Sequence, residues 1–205
     1  MTPVRRAAHP APPDPERLAR DETDAWVGYY RHEWTKVLRG AFGMVRHGFG
    51  TNWWQTLRGA WLVLRANQVW APVPDNDPDA ARAYMARFYR IVARVQGWTI
   101  DPQEAARREV DWWRVHREIQ RVSPEEDDSR LVEALTALYG YVYTLPADRV
   151  RPAAVHRAAA MRLSDAWVEA GCDPDDERLV AEYQELLRSY TALRNVVAPP
   201  GGIQG

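Results

Sequence analysis

Two side chains able to exchange a proton, Glu109 and His116, share one face of a single predicted helix. The stretch Asp101 to Arg121 reads DPQEAARREVDWWRVHREIQR. Asp101 can cap a helix whose first position is Pro102, a residue with no N–H to leave unsatisfied. At about 100° per residue, Ala105, Glu109, Trp112, Trp113, His116, Ile119 and Gln120 fall on the inner side, and Arg107, Arg114 and Glu118 on the outer. The carboxylate and the imidazole are then two turns apart, about 10 Å of rise, with tryptophans between them. Burial raises the pKa of a carboxyl, and a nearby carboxylate raises that of an imidazole. Such a pair can hold acid and base forms near neutral pH. The simpler reading is that both groups are satisfied by backbone or by an arginine from another helix.

Other polar residues fall on faces expected to be inner ones. Gln68 continues the centre line of a very apolar helix, with Arg58 and Arg65 flanking it. A buried arginine needs an anion, either Glu33 or Glu109 from the chain or the carboxylate or phosphate of a ligand. His156 lies within a stripe of alanines that lets a neighbouring helix or a flat ligand come close. If these helices meet, Glu109, His116 and His156 are the candidate acid, base or ligand groups. Gln68, Gln120, Arg58 and Arg65 would then contact substrate, walled by Trp61, Trp112, Trp113 and Trp167, with Trp53 alongside. An apolar pocket with a few convergent polar groups is the usual form of a small-molecule site.

The elements that must position these groups are all helical. Residues 1–21 carry Pro3, Pro10, Pro12, Pro13 and Pro15 and are expected to form a disordered arm. A first helix is predicted over 22–46, with a stripe from Trp26 to Val45 and His32 pointing away from it. The second, over 51–70, is apolar nearly all round and should be central and buried on several sides. The third, over 79–96, the fifth, up to about 143, and the seventh, over 173–197, have purely apolar inner faces. Ser123, Pro124 and Glu126 suggest a capping box for the fifth. The sixth, over 151–170, places Arg162, Asp165 and Glu169 on its outer side. Residues 198–205 read as a disordered tail. The fold class is therefore all-α, a single-domain irregular bundle of about seven helices over 22–197, with no internal repeat in view.

Length and composition bound the function. A chain of 205 residues suits one domain. The net charge of −1 argues against a general nucleic-acid binder. No stretch approaches the length of a membrane span, and no apolar run follows Arg5 and Arg6 as a secretory signal requires. One cysteine, Cys172, forms no intramolecular disulfide and suits a cytoplasmic location. Lys36 is the only lysine, as GC-rich bacterial coding favours. Ten tryptophans and nine tyrosines suit cavities and interfaces alike.

Metal chemistry has the right ligand types but not the spacing. There is no HExxH and no Glu-x-x-His, and Glu109 and His116 are too far apart on a straight helix to share an ion. The acidic run Asp75 to Asp79 is a helix-capping turn before it is a magnesium site. No nucleophile has a base at readable spacing, and there is no phosphate-binding loop. An all-α pocket could also hold a haem on one histidine. Val95 to Gly97, Asp101-Pro102 and Trp113 to His116 together resemble the MpaB-like oxygenases, which are helical and bind haem. That resemblance spans about a tenth of the chain. Its pieces are spaced too far apart for the family pattern and none matches a haem ligand, so the cofactor stays unassigned. The expectation is an enzyme acting on a small apolar or aromatic metabolite by acid/base, metal or haem chemistry, without nucleic-acid or membrane partners. The alternative is a non-catalytic helical module that binds a partner or forms a homodimer.

Overall fold

Capping side chains start most of the helices. In the computed structural model, which describes residues 14–122 and 127–197, eight helices are found among those residues. They are α1 (Pro15–Tyr30), α2 (Trp34–Phe49), α3 (Trp53–Trp70), α4 (Pro78–Gln96), α5 (Pro102–Val122), α6 (Ser129–Tyr143), α7 (Ala147–Glu169) and α8 (Glu177–Val197). Asp14, Asp77 and Asp101 each accept backbone N–H groups at the start of a helix that has proline at its first position. Asn52 and Gln55 form a reciprocal capping box on α3, both bonds 3.0 Å. Gly50 and Gly97 end α2 and α4 in the left-handed conformation. The expected capping box at Ser123–Glu126, most of the N-terminal arm and the C-terminal tail lie outside the described residues.

The all-α expectation holds, with eight helices where about seven were predicted. The added one comes from the N-terminal side. α1 begins at Pro15, inside the stretch read as an arm, and the continuous stripe over 22–46 is two helices, α1 and α2. The turn between them, Arg31 to Glu33, has neither glycine nor proline; His32 takes the left-handed conformation itself, at φ 57°. Both helices bury their apolar side against the same interior, so the 3.6-residue rhythm runs through the break.

α1 and α2 pack with little space between them. A Cβ on Gly40 would lie 2.5 Å from the Asp21 carbonyl oxygen and 2.9 Å from the Ala25 Cβ. Backbone cannot swing aside. Gly40→Ala should therefore destabilise by roughly 1–3 kcal/mol from overpacking, even though alanine is the better helix former by about 1 kcal/mol. Urea denaturation followed by circular dichroism measures this; a more stable variant would mean that the two helices separate freely.

Each helix packs chiefly on its neighbours in chain order, and α8 returns to α1, so the eight close into a ring. The main core fills the α4–α6 side, around Phe88, Tyr89, Trp112, Trp113, Leu135 and Leu138. α3 is not the central helix expected. It buries Thr56, Gly59, Ala60, Leu62, Ala66 and, at its C-terminal end, Trp70; the small side chains along most of this face let α2 and α4 approach closely, while Trp53, Trp54, Leu57 and Trp61 are left exposed. The apolar centre line predicted as its inner face is the outer one, because the small residues of the buried face carry little hydrophobic signal. Among the described residues, no helix is long and apolar enough to cross a membrane.

Candidate functional site

A cavity of about 430 Å³ lies inside the ring, and all eight helices line it. It opens toward His32 and Arg121, which are exposed. Most of the wall is apolar or aromatic, including Trp26, Trp70, Phe88, Leu135, Leu138 and Val142. Three groups of polar side chains interrupt it.

The first is a histidine held by an aspartate. His116 and Asp165 are both buried, and His116 Nε2 lies 3.1 Å from each carboxylate oxygen. Gln120 donates to the same carboxylate at 2.8 Å and reaches the Tyr30 hydroxyl at 3.3 Å. Burial raises the pKa of Tyr30, with Asp165 adding to the effect, so its hydroxyl stays protonated. A carboxylate on Nε2 fixes the proton there and leaves Nδ1 with a lone pair. Nδ1 makes no hydrogen bond and is not sealed among the described residues, and His116 lines the cavity. An imidazole so oriented can take a proton from a molecule in the cavity and return it.

The second group is a pair of carboxylates, each saturated by the protein. Glu109 Oε2 accepts from the Tyr89 hydroxyl at 2.5 Å, and Oε1 accepts from the Trp112 and Trp113 indoles at 3.1 and 3.2 Å. Desolvation raises its pKa, against these donors and the field of Arg157. Glu22 is treated alike. It takes the Trp26 indole at 3.3 Å, the Tyr190 hydroxyl and the guanidinium of Arg157. Arg157 also reaches the Tyr139 hydroxyl and lies over the Trp112 ring. Glu109, Arg157 and Tyr190 are enclosed by protein yet keep accessible area, and all three line the cavity.

The third is Arg117. One guanidinium nitrogen caps α3 at the Trp70 carbonyl, 2.8 Å away, and the group lies 4.1 Å above the Trp70 ring. Its Nη1 is buried with no hydrogen-bond partner, and no carboxylate pairs with it among the described residues. Desolvation pulls its pKa below the usual arginine value, opposed by the neighbouring Tyr29 hydroxyl.

Of the residues expected from the sequence, Glu109, His116, Gln120, Trp112 and Trp113 line this cavity. The others do not join them. Arg58 and Trp61 lie on the exposed side of α3, and Arg65 is bonded to Gln68 at 2.7 Å on that helix. His156 pairs with Glu185 at 2.8 Å, away from the cavity. Trp167 is core, its indole donating to the Asp173 carbonyl. Among the described residues, no three His, Cys, Asp or Glu side chains are grouped as an ion would need. Asp165, expected on the outer side, faces inward because α7 is buried on two sides and its inner surface is wider than its alanine stripe. Glu22, Arg157 and Arg117 were missed. A signal for the carboxylates was present: Glu-x-Asp-x-Trp occurs at Glu22–Trp26 and again at Glu109–Trp113, with the indole reaching back one turn to the carboxylate each time.

No family model, curated protein or solved structure matches this chain.

Proposed function

We propose that the protein is an enzyme that holds a small, largely apolar or aromatic molecule in the central cavity by an anionic end and moves a proton on it with His116. The observation that carries this reading is the half-buried guanidinium of Arg117, whose Nη1 is sealed without a hydrogen-bond partner and which no carboxylate answers among the described residues, on the wall of a cavity that also holds the His116–Asp165 pair. A buried cation without an anion is costly, and a ligand carboxylate or phosphate reaching Nη1 would relieve that cost. The cavity falls within the size range of small-molecule sites, with the usual apolar wall and few polar groups. Arg117 thus takes the role that the sequence suggested for Arg58 or Arg65. Glu109, with three donors on its oxygens, shapes the pocket and leaves proton transfer to His116.

The test compares 2-naphthoate with 2-naphthalenemethanol, alike in ring but not in charge, by isothermal titration. The carboxylate should bind more tightly, and Arg117→Met should weaken it by roughly 10–100-fold, the value of a charge-assisted hydrogen bond. Binding of the alcohol should not change. Equal binding of both compounds to both proteins would sink the assignment of Arg117. Proton transfer is checked on the ligand that native mass spectrometry finds retained by freshly purified protein. Its conversion should stop in His116→Gln while retention persists.

A further inference from the structure

α2 and α3 contain no aspartate or glutamate, in a chain with 28 acidic residues. They carry Lys36, Arg39, Arg46, Arg58 and Arg65, and none of these has an ion-pair partner among the described residues. α3 also holds the largest exposed hydrophobic groups. Trp54 is 76% exposed, Trp53 59%, Trp61 48% and Leu57 41%. On α3, Trp54, Leu57, Arg58, Trp61 and Arg65 fall on one side at about 100° per residue, opposite Val63, Asn67 and Trp70 of the cavity wall. On α2, Arg39, Phe42 and Arg46 share one side by the same spacing. The Phe42 ring meets Trp53 edge-on at 5.1 Å, so the two helices present one continuous face. At its far edge Trp61 contacts Tyr84, which lies between the guanidinium groups of Arg65 and Arg87.

We propose that this face docks the protein reversibly on an anionic lipid surface. Trp54, Leu57 and Trp61 enter the boundary between headgroups and acyl chains, and Arg39, Arg58 and Arg65 lie against lipid phosphates. Tryptophan and tyrosine settle at that depth because one end of the ring system is apolar and the other is polar. Each arginine near an anionic leaflet adds to the attraction, and salt screens it. Neither the apolar patch nor the charge alone suffices for stable attachment, and this face has both. A second copy of the chain fits the face less well. A twofold dimer brings the patch against itself, which sets Arg58 near its own counterpart with no carboxylate on α2 or α3 to answer it. The residues before α1 are no better complement, since up to Pro13 they carry Arg5 and Arg6 and no acid. A single strand of nucleic acid is held in a basic groove with aromatic stacking, whereas this face is helical and has leucine between its tryptophans. The absence of a spanning segment points away from a membrane-crossing role, but attachment to a lipid surface needs no such segment. This inference does not depend on what the cavity binds.

The experiment is co-sedimentation of the full chain with phosphatidylcholine vesicles, pure or mixed with phosphatidylglycerol, at low and high salt. The chain should pellet with the mixed vesicles at low salt and be released at high salt. Trp54→Ala with Trp61→Ala should weaken binding by roughly tenfold or more, from the lost apolar burial. Arg39→Gln with Arg58→Gln should weaken it to a similar degree on mixed vesicles alone. All four side chains are exposed or half-exposed, and an unchanged melting curve confirms that the variants fold. Should a variant unfold, quenching of the unaltered chain's tryptophan fluorescence by brominated phosphatidylglycerol gives an independent reading, with quenching expected. The proposal is overturned if the chain stays in the supernatant at low salt, if both double variants pellet like the parent, or if brominated lipid leaves the fluorescence unchanged. A concentration-dependent dimer that Trp54→Ala dissolves, without vesicle binding, would instead assign the face to a second copy.

Discussion

Arg157→Met should lower the stability of the protein by about 3–5 kcal/mol at neutral pH, the cost of leaving one buried charge without its partner. Arg157 is enclosed between α1, α5 and α6, and its guanidinium pairs with Glu22 and reaches Tyr139. Desolvation opposes its charge, but Glu22, Tyr139, Tyr190 and Glu109 outweigh that, so it stays protonated. Once it is gone, Glu22 keeps only the Trp26 indole and the Tyr190 hydroxyl. The melting temperature of a chain this long should fall by roughly 10 °C. Adding Glu22→Gln should recover a large part of the loss, because the amide needs no counter-charge. A double-mutant cycle by calorimetry measures the coupling. Additive losses would mean that Glu22 is answered by something other than Arg157.

Glu182→Gln should act in the opposite direction and stabilise the protein. Glu182 is buried on α8, and its Oε2 has no hydrogen-bond partner. Desolvation, then the nearby charges of Glu22 and Asp165, push its pKa from 4.5 up to about 8. The folded protein therefore binds this proton more tightly than the unfolded chain does. Below about pH 4.5 both states are protonated and the group makes no difference. Between pH 4.5 and about 8 the unfolded chain gains by ionising while the folded one does not, so stability is progressively lost. Above about 8 the penalty is complete, on the order of a few kcal/mol. The glutamine variant escapes it. Its advantage in thermal melting should be absent near pH 4, grow through neutrality and level off above pH 8. An advantage independent of pH would assign the effect to packing instead.

The sequence carried the helices well and the site in part. Asp-Pro starts, the Asn52–Gln55 box and the glycine stops are local chemistry, readable one turn at a time. The face of α5 was readable because Glu109, His116 and Gln120 interrupt an otherwise aromatic stripe. Their partners were not: Asp165 comes from α7, two helices further along the chain, and Tyr89, though on the preceding α4, reads in the sequence as one more member of a clean apolar stripe. α3 misled because its buried side is small and its exposed side is large, the reverse of the usual amphipathic pattern. Arg117 resembles any outward arginine in the sequence. Only its position against Trp70, with Nη1 buried, sets it apart.

The two saturated carboxylates also bear on how the ring stays shut. Glu22 with Trp26 on α1 takes its phenol from Tyr190 on α8, and Glu109 with Trp113 on α5 takes its phenol from Tyr89 on α4. A step of four helices around the ring carries one arrangement onto the other. The molecule is thus two arcs of four helices, α1–α4 and α5–α8, latched at both seams by the same three side-chain types. The chain crosses one seam through residues 97–101, so Glu109 closes a joint that the backbone already bridges. No peptide spans the other. There α1 meets α8 through Glu22, which reaches Tyr190 on α8 and Arg157 on the adjoining α7, so at that seam side chains alone hold the two arcs together.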